Sequence, residues 1–441
     1  MESRRMAIIF LCLVSLFCIF FSWPEYRACL GIASNVPTCF MIDFSGYYLS
    51  AGMLLSGNSA IYSEDAVNRF ALERGFVKGM NYGGLNNYPP CFYMMMTFLA
   101  RLPYFSAINA WLVLNHLFIL MTAAFVFMAC RGAQAERAGG GVILVPLFFV
   151  AGLFFFPSID EFAHGQTGIV VAMLTALCLY LYSRGSLAAA GAALGAAGAI
   201  KGLPLFFLLY FVWKKRWKPV AAALITFGVL MIIPCLIWGW GIMGDFLSIR
   251  SRVMIDWGKW PVDQSLNAML QTYLPWAPMN LIRVAKILLS LVFVGLTLYS
   301  IRGEGGKQRE VLGFSLMVIL LSVVTHYAHP HNHVILLMPL MAFFACYILR
   351  KNWGMMEIRL FYGLVMAYGL ISCTMSGFVG VRWLAAKKLL LGAKVPYLSI
   401  LLLWGLAALL VWQMKEKQPG RVEDGDDSAG SVQAKVIAGP A

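Results

Sequence analysis

Charge is what this sequence has least of. Only 12% of its 441 residues are Asp, Glu, Lys or Arg, about half the share of an ordinary soluble domain. That scarcity excludes a large water-facing surface. The longest polar stretches, 24–87, 242–279 and the tail from Lys415, leave room for loops and not for a separate soluble domain. A Gly-rich phosphate loop at a strand-to-helix turn is also missing, so nothing reads as a site for a soluble nucleotide. Cysteine is present ten times, but mostly inside apolar runs, where a thiol is a small hydrophobe. Only Cys29 and Cys39, in the first loop, are placed to pair.

Hydrophobic residues make up 61% of the chain. Apolar runs near the length of a bilayer crossing fall at 6–22, 88–103, 106–130, 141–156, 167–183, 187–213, 219–241, 280–301, 311–327, 332–349, 359–378 and 396–414. The predicted fold is therefore all-α, a polytopic transmembrane bundle of about 12 spans over residues 1–414. Two runs are irregular. The stretch 88–103 opens on Pro89 and Pro90 and is short enough to dip into one face without crossing. The stretch 187–213 is interrupted at "AIKGLP", which predicts two half-helices meeting at Lys201, Gly202 and Pro204. Gly191, Gly195 and Gly198 stand at helical spacing and predict close helix packing. The first segment lacks a small-residue cleavage site and reads as a retained anchor; residues 415–441, charged and free of aromatics, read as a disordered cytoplasmic tail.

The formal charge of +14 is explained by topology before any nucleic-acid partner is invoked. Basic connectors such as "CRGAQAER", "KKRWK" and "RKNWGMMEIR" sort to the cytoplasmic side, in keeping with a multi-pass protein of the plasma membrane. The opposite face then receives the loop with Asp43, "PSIDEFAHGQ", the break at Lys201, the 242–279 loop and "THYAHPHNH". It also receives Arg382, Lys387 and Lys388, which break the positive-inside rule and call for an anionic headgroup or phosphate nearby.

Chemistry-bearing residues thus collect on one membrane face. Asp43 is the sole acid between Glu25 and Glu64, with Tyr47 and Ser50 on the same helical face. A carboxylate there either caps a helix or serves as a general base whose pKa desolvation raises. Four of the six histidines, His326, His329, His331 and His333, crowd one segment. Imidazoles so spaced can bind metal, but the segment holds no Cys, Asp or Glu, so no metal and no cofactor are assigned; a polar rim donating to hydroxyls or phosphate is the better reading. His164, Gln166, Lys201, Asp263 and Gln264 join that rim, with Tyr88 beside its two prolines as a wall. Trp257, Trp260 and Trp276 fit either sugar stacking or interfacial anchoring. The spans themselves are nearly free of charge, which argues against a pump or secondary transporter. A flippase for lipid-linked glycans and a non-catalytic scaffold remain the alternatives.

Several stretches, in order, resemble glycosyltransferase family 87: "DFSGYYLSAGMLLSGNSAIY", "YPP", the segment from "HGQTGIVV" through "GAIKGLPLFF" to "KKRW", "DQSLNAML" and "HPHNHVILLMPL". The resemblance implies a bundle of GT-C type with extracytoplasmic loops. It further implies a membrane-embedded enzyme that moves a hexose, mannose first, from a polyprenyl-phosphate donor to a lipid or glycan acceptor, with inversion. In that reading Asp43 is the general base and Lys201, His331 and His333 hold the donor phosphate. Tyr47, Tyr88, His164, Gln166, Asp263, Gln264 and His329 form the substrate rim.

Overall fold

The structure, a computed structural model, describes residues 2–35, 42–76, 81–132, 143–256, 263–303, 305–350, 354–374 and 392–416. Cys39, Trp257, Trp260, Arg382, Lys387, Lys388 and the tail from residue 417 lie outside the described residues. In chain order the helices are α1 (Glu2–Asn35), α2 (Ile42–Leu55), α3 (Glu64–Glu73), α4 (Pro90–Ala100), α5 (Tyr104–Gly132), α6 (Leu144–Leu153), α7 (Phe156–His164), α8 (Gly168–Ser183) and α9 (Leu187–Lys201). They continue with α10 (Leu208–Trp213), α11 (Trp217–Trp238), α12 (Gly241–Asp256), α13 (Leu266–Tyr273), α14 (Met279–Ser300), α15 (Lys307–Val324), α16 (Leu337–Leu349), α17 (Met355–Thr374) and α18 (Val395–Glu416). Among the described residues there is no strand, and the protein is all-α as expected.

Among the described residues, seven helices are long and apolar enough to cross a membrane, and α6 with α7, bent by 58° at their junction, make an eighth if taken as one span. The sequence count of about 12 is larger because it takes in α4, with 11 residues, α8, with 16, and α9, with 15, which are apolar but shorter than the roughly 20 residues a straight crossing needs, and α15, which opens with Lys307, Arg309 and Glu310. The first helix also runs further than its apolar core predicts. It carries Pro24 internally and reaches Asn35, so Cys29 is helical, not in a loop, and its thiol points at the carbonyl of Ile159.

Helix burial separates centre from rim. In the span Pro330–Leu349, 94% of the most apolar stretch is buried, against 11% in α14, whose Leu281, Val284, Leu288 and Leu291 face outward. The first is the bundle's core and the second faces lipid. The glycine stripe of α9 lies against α11: a Cβ on Gly191 or Gly195 would collide with the backbone of Pro219 or Ala223. These glycines let two backbones approach where larger residues would hold them apart.

Three junctions place the site. Helix α9 ends at Lys201, where Gly202 (φ +28°) and Pro204 turn the chain into a short 3₁₀ segment. Helix α7 ends on Gly165 (φ +68°), a left-handed cap that redirects the chain into α8. The 3₁₀ turn Pro330–Leu336 packs against α7, and α2 packs against α4. Asp43, Lys201 and the histidine segment converge as a result.

Candidate active site

Asp43 stands in the first turn of α2, a helix outside the candidate spans, and is buried to 7% exposure. Its Oδ2 accepts a 2.5 Å hydrogen bond from Gln166 Nε2, and Gln166 Oε1 in turn accepts one of 2.5 Å from the Tyr88 hydroxyl. Thr167 donates to that same hydroxyl at 3.1 Å. Among the described residues the Gln166 bond is the one side-chain hydrogen bond of the Asp43 carboxylate, and it is made through Oδ2. Burial raises the Asp43 pKa, opposed by the charge of His164, the Gln166 hydrogen bond and Lys201. A carboxylate so placed is more basic than one in water.

Asp43 lines a cavity of about 310 Å³ together with Tyr88, Pro89, Gln166, Lys201, His331 and Asn332. That volume falls at the lower end of the range for small-molecule sites, about 300–1,000 Å³. The Lys201 ammonium donates to Asn332 Oδ1 at 2.8 Å and lies 6.0 Å from the centroid of the Tyr88 ring, on the cavity wall. His331 is buried, and its backbone N–H donates to Asp160 Oδ2 at 2.9 Å. His329 stacks on His331 with centroids 5.2 Å apart.

Other residues expected at the rim stand one layer back. Tyr47 packs edge-on against Tyr88, 5.1 Å between centroids. His164 receives no place on the cavity wall and instead sits with its Nδ1 2.8 Å from the carbonyl of its own helix at Asp160. His333 Nε2 lies 3.3 Å from the Gln264 carbonyl and borders a small void of about 30 Å³ that also touches Lys201. Asp263 and Gln264 strap the histidine segment: Asp263 Oδ1 accepts from Ala328 N at 3.0 Å, and Gln264 N donates to Ala328 O at 2.7 Å. Lys394 ties the Asp263 carbonyl at 2.8 Å, and burial pushes the Asp263 carboxyl up to about 6.

Sequence reading passed over three participants. Asp160, at i−4 from His164, was visible in "SIDEFAH" as a possible same-face partner, but its contact with His331 is tertiary. Asn332, hidden among histidines, orients Lys201. On the lipid side, Lys286 of α14 donates to His326 Nδ1 at 2.7 Å, and His326 lines the cavity. Burial, then Lys286 and Arg283, hold His326 below the usual histidine range, so it is the acceptor of that bond.

No curated protein matches the chain. A family does: the description glycosyltransferase family 87 matches residues 86–326, which include Tyr88, His164, Gln166, Lys201, Asp263 and Gln264 and leave Asp43 and His329–His333 outside. With more than half its length matched, and with multiple helices able to cross a membrane, the chain belongs to glycosyltransferase family 87 and is a membrane glycosyltransferase.

Proposed function

We propose that the protein transfers a hexose, mannose first among candidates, from a polyprenyl-phosphate donor to a hydroxyl of a lipid or glycan acceptor. Transfer occurs on the extracytoplasmic face of the plasma membrane, in a bundle of GT-C type. The observation that carries this reading is that one cavity is lined by both a buried carboxylate, Asp43, and a cation, Lys201.

The acceptor hydroxyl loses its proton to Asp43 Oδ1 as its oxygen bonds to the anomeric carbon from the face opposite the phosphate. The bond from that carbon to the phosphate oxygen breaks, the electron pair leaves with the phosphate, and the configuration inverts. Polyprenyl phosphate departs as an anion, so the step needs one base and a cationic cradle and no acid. Lys201 supplies the charge, held by Asn332, and His331 borders the same wall. Gln166 fixes the orientation of Asp43. In this reading a prenyl tail approaches along α14, most of whose apolar stretch is exposed, with its phosphate leading toward Arg283 and Lys286 beside His326.

The test supplies the purified enzyme in detergent with acceptor and either polyprenyl-phosphate mannose or GDP-mannose. Glycosylated product from the lipid donor alone is expected. Product from the nucleotide sugar alone would overturn both the donor class and the placement of the site.

A further inference from the structure

We propose that Asp160, His164 and His331 form a binding site for a first-row divalent cation, of the zinc or manganese class, beside the cavity that holds Asp43. One ligand atom from each of the three lies within 4.8 Å of the other two. The histidine segment has no acid of its own, which weighs against metal when it is read alone; α7 provides the missing carboxylate and a second imidazole. Asp160 and His164 share a face at i, i+4, and packing of the 3₁₀ turn on α7 adds His331.

Hydrogen bonding favours ligation over a simple dyad. The His331 Nδ1 atom is buried and lies 3.3 Å from Asp160 Oδ2, within ion-pair reach but outside good hydrogen-bond geometry. A buried imidazole nitrogen without a partner costs free energy unless something satisfies its lone pair. His164 directs Nδ1 at the Asp160 carbonyl at 2.8 Å, the backbone contact that fixes the tautomer with its lone pair on Nε2. Metal bonds of about 2.0–2.1 Å space neighbouring ligand atoms by roughly 3.3 Å in a tetrahedron, which the Asp160–His331 pair already matches, with a ligand atom of His164 within 4.8 Å of both. Two nitrogens and one oxygen suit zinc or manganese better than calcium or magnesium. His331 also lines the cavity, so a coordination position left open would face whatever occupies it.

The site shares His331 with the wall of the cavity that holds Asp43, and its test reads metal alone. The full chain, purified in detergent, is stripped with chelator, equilibrated with Zn²⁺ or Mn²⁺, desalted and measured by plasma mass spectrometry. About one ion per chain is expected, lost in His164→Ala and His331→Ala and kept in His329→Ala. X-ray absorption of the zinc-loaded wild type guards against variants that misfold: a nitrogen and oxygen shell with two imidazoles is expected. Retention of no ion, a sulfur shell, or equal retention in well-folded His164→Ala and His331→Ala would overturn the site.

Discussion

Gln166 holds Asp43 from 123 positions along the chain, with 2.5 Å between Nε2 and Oδ2. That bond, and the Tyr88 hydroxyl behind it, fixes one oxygen of a carboxylate that lines the cavity. The Gln166 bond also lowers the Asp43 pKa against the effect of burial. Transfer should therefore fall as pH drops through an Asp43 pKa lying above the ordinary carboxylate value, because the protonated acid cannot take the acceptor's proton. Removing the bond with Gln166→Leu should move that acid limb to higher pH and lower kcat by about tenfold or more through lost orientation. An unmoved limb in Gln166→Leu would separate Asp43 from the titration.

Lys201 makes a different prediction. Its ammonium is tied to Asn332 on the wall, so Lys201→Met should cost about 10²-fold in kcat/KM for the lipid donor, with little change in the KM for acceptor. Steady-state kinetics with each substrate varied in turn measure both. A KM for acceptor raised as much as that for the lipid donor would mean that the lysine shapes the cavity and does not serve the leaving group.

Asp263 links the site to stability. Its folded-state value of about 6 lies above the ordinary aspartate value of 3.8, so the fold binds that proton more tightly than the unfolded chain does. The site's contribution is full below the unfolded value and declines as pH rises through the folded one. Asp263→Asn keeps an oxygen for the Ala328 amide and cannot ionise. Thermal unfolding in detergent should show wild type losing ground to this variant between about pH 4 and pH 7. Parallel curves would contradict that.

Packing of α9 on α11 gives a prediction remote from chemistry. Gly195→Val drives a side chain into the backbone at Ala223 and should destabilise the bundle by about 1–3 kcal/mol, seen as earlier thermal aggregation. An unchanged profile would show that the two helices do not need that approach.

How far the sequence reached can be seen residue by residue. Asp43 was legible because it is the sole acid in a long stretch, and Lys201 because Gly202 and Pro204 break an apolar run around it. The glycine stripe was legible from its helical spacing. The number of spans was not, since a helix buried on all sides and a helix bathed in lipid are equally apolar, and α8 cannot be told from a crossing by composition. Asp263 read as rim because a buried polar residue and a ligand-binding one look alike in sequence. Its hydrogen bond to the amide of Ala328, 65 positions away, leaves no periodic trace. The contact of Asp160 with His331, across 171 positions, was hidden for the same reason.

The most direct measurement is the turnover of purified Asp43→Asn with a polyprenyl-phosphate sugar and acceptor, alongside its thermal stability. Asparagine preserves an oxygen for the Gln166 amide and removes the base, so the fold should be retained while transfer drops by roughly 10²-fold or more. Turnover near the wild-type rate in a folded Asp43→Asn protein would contradict the assignment of Asp43 as the general base.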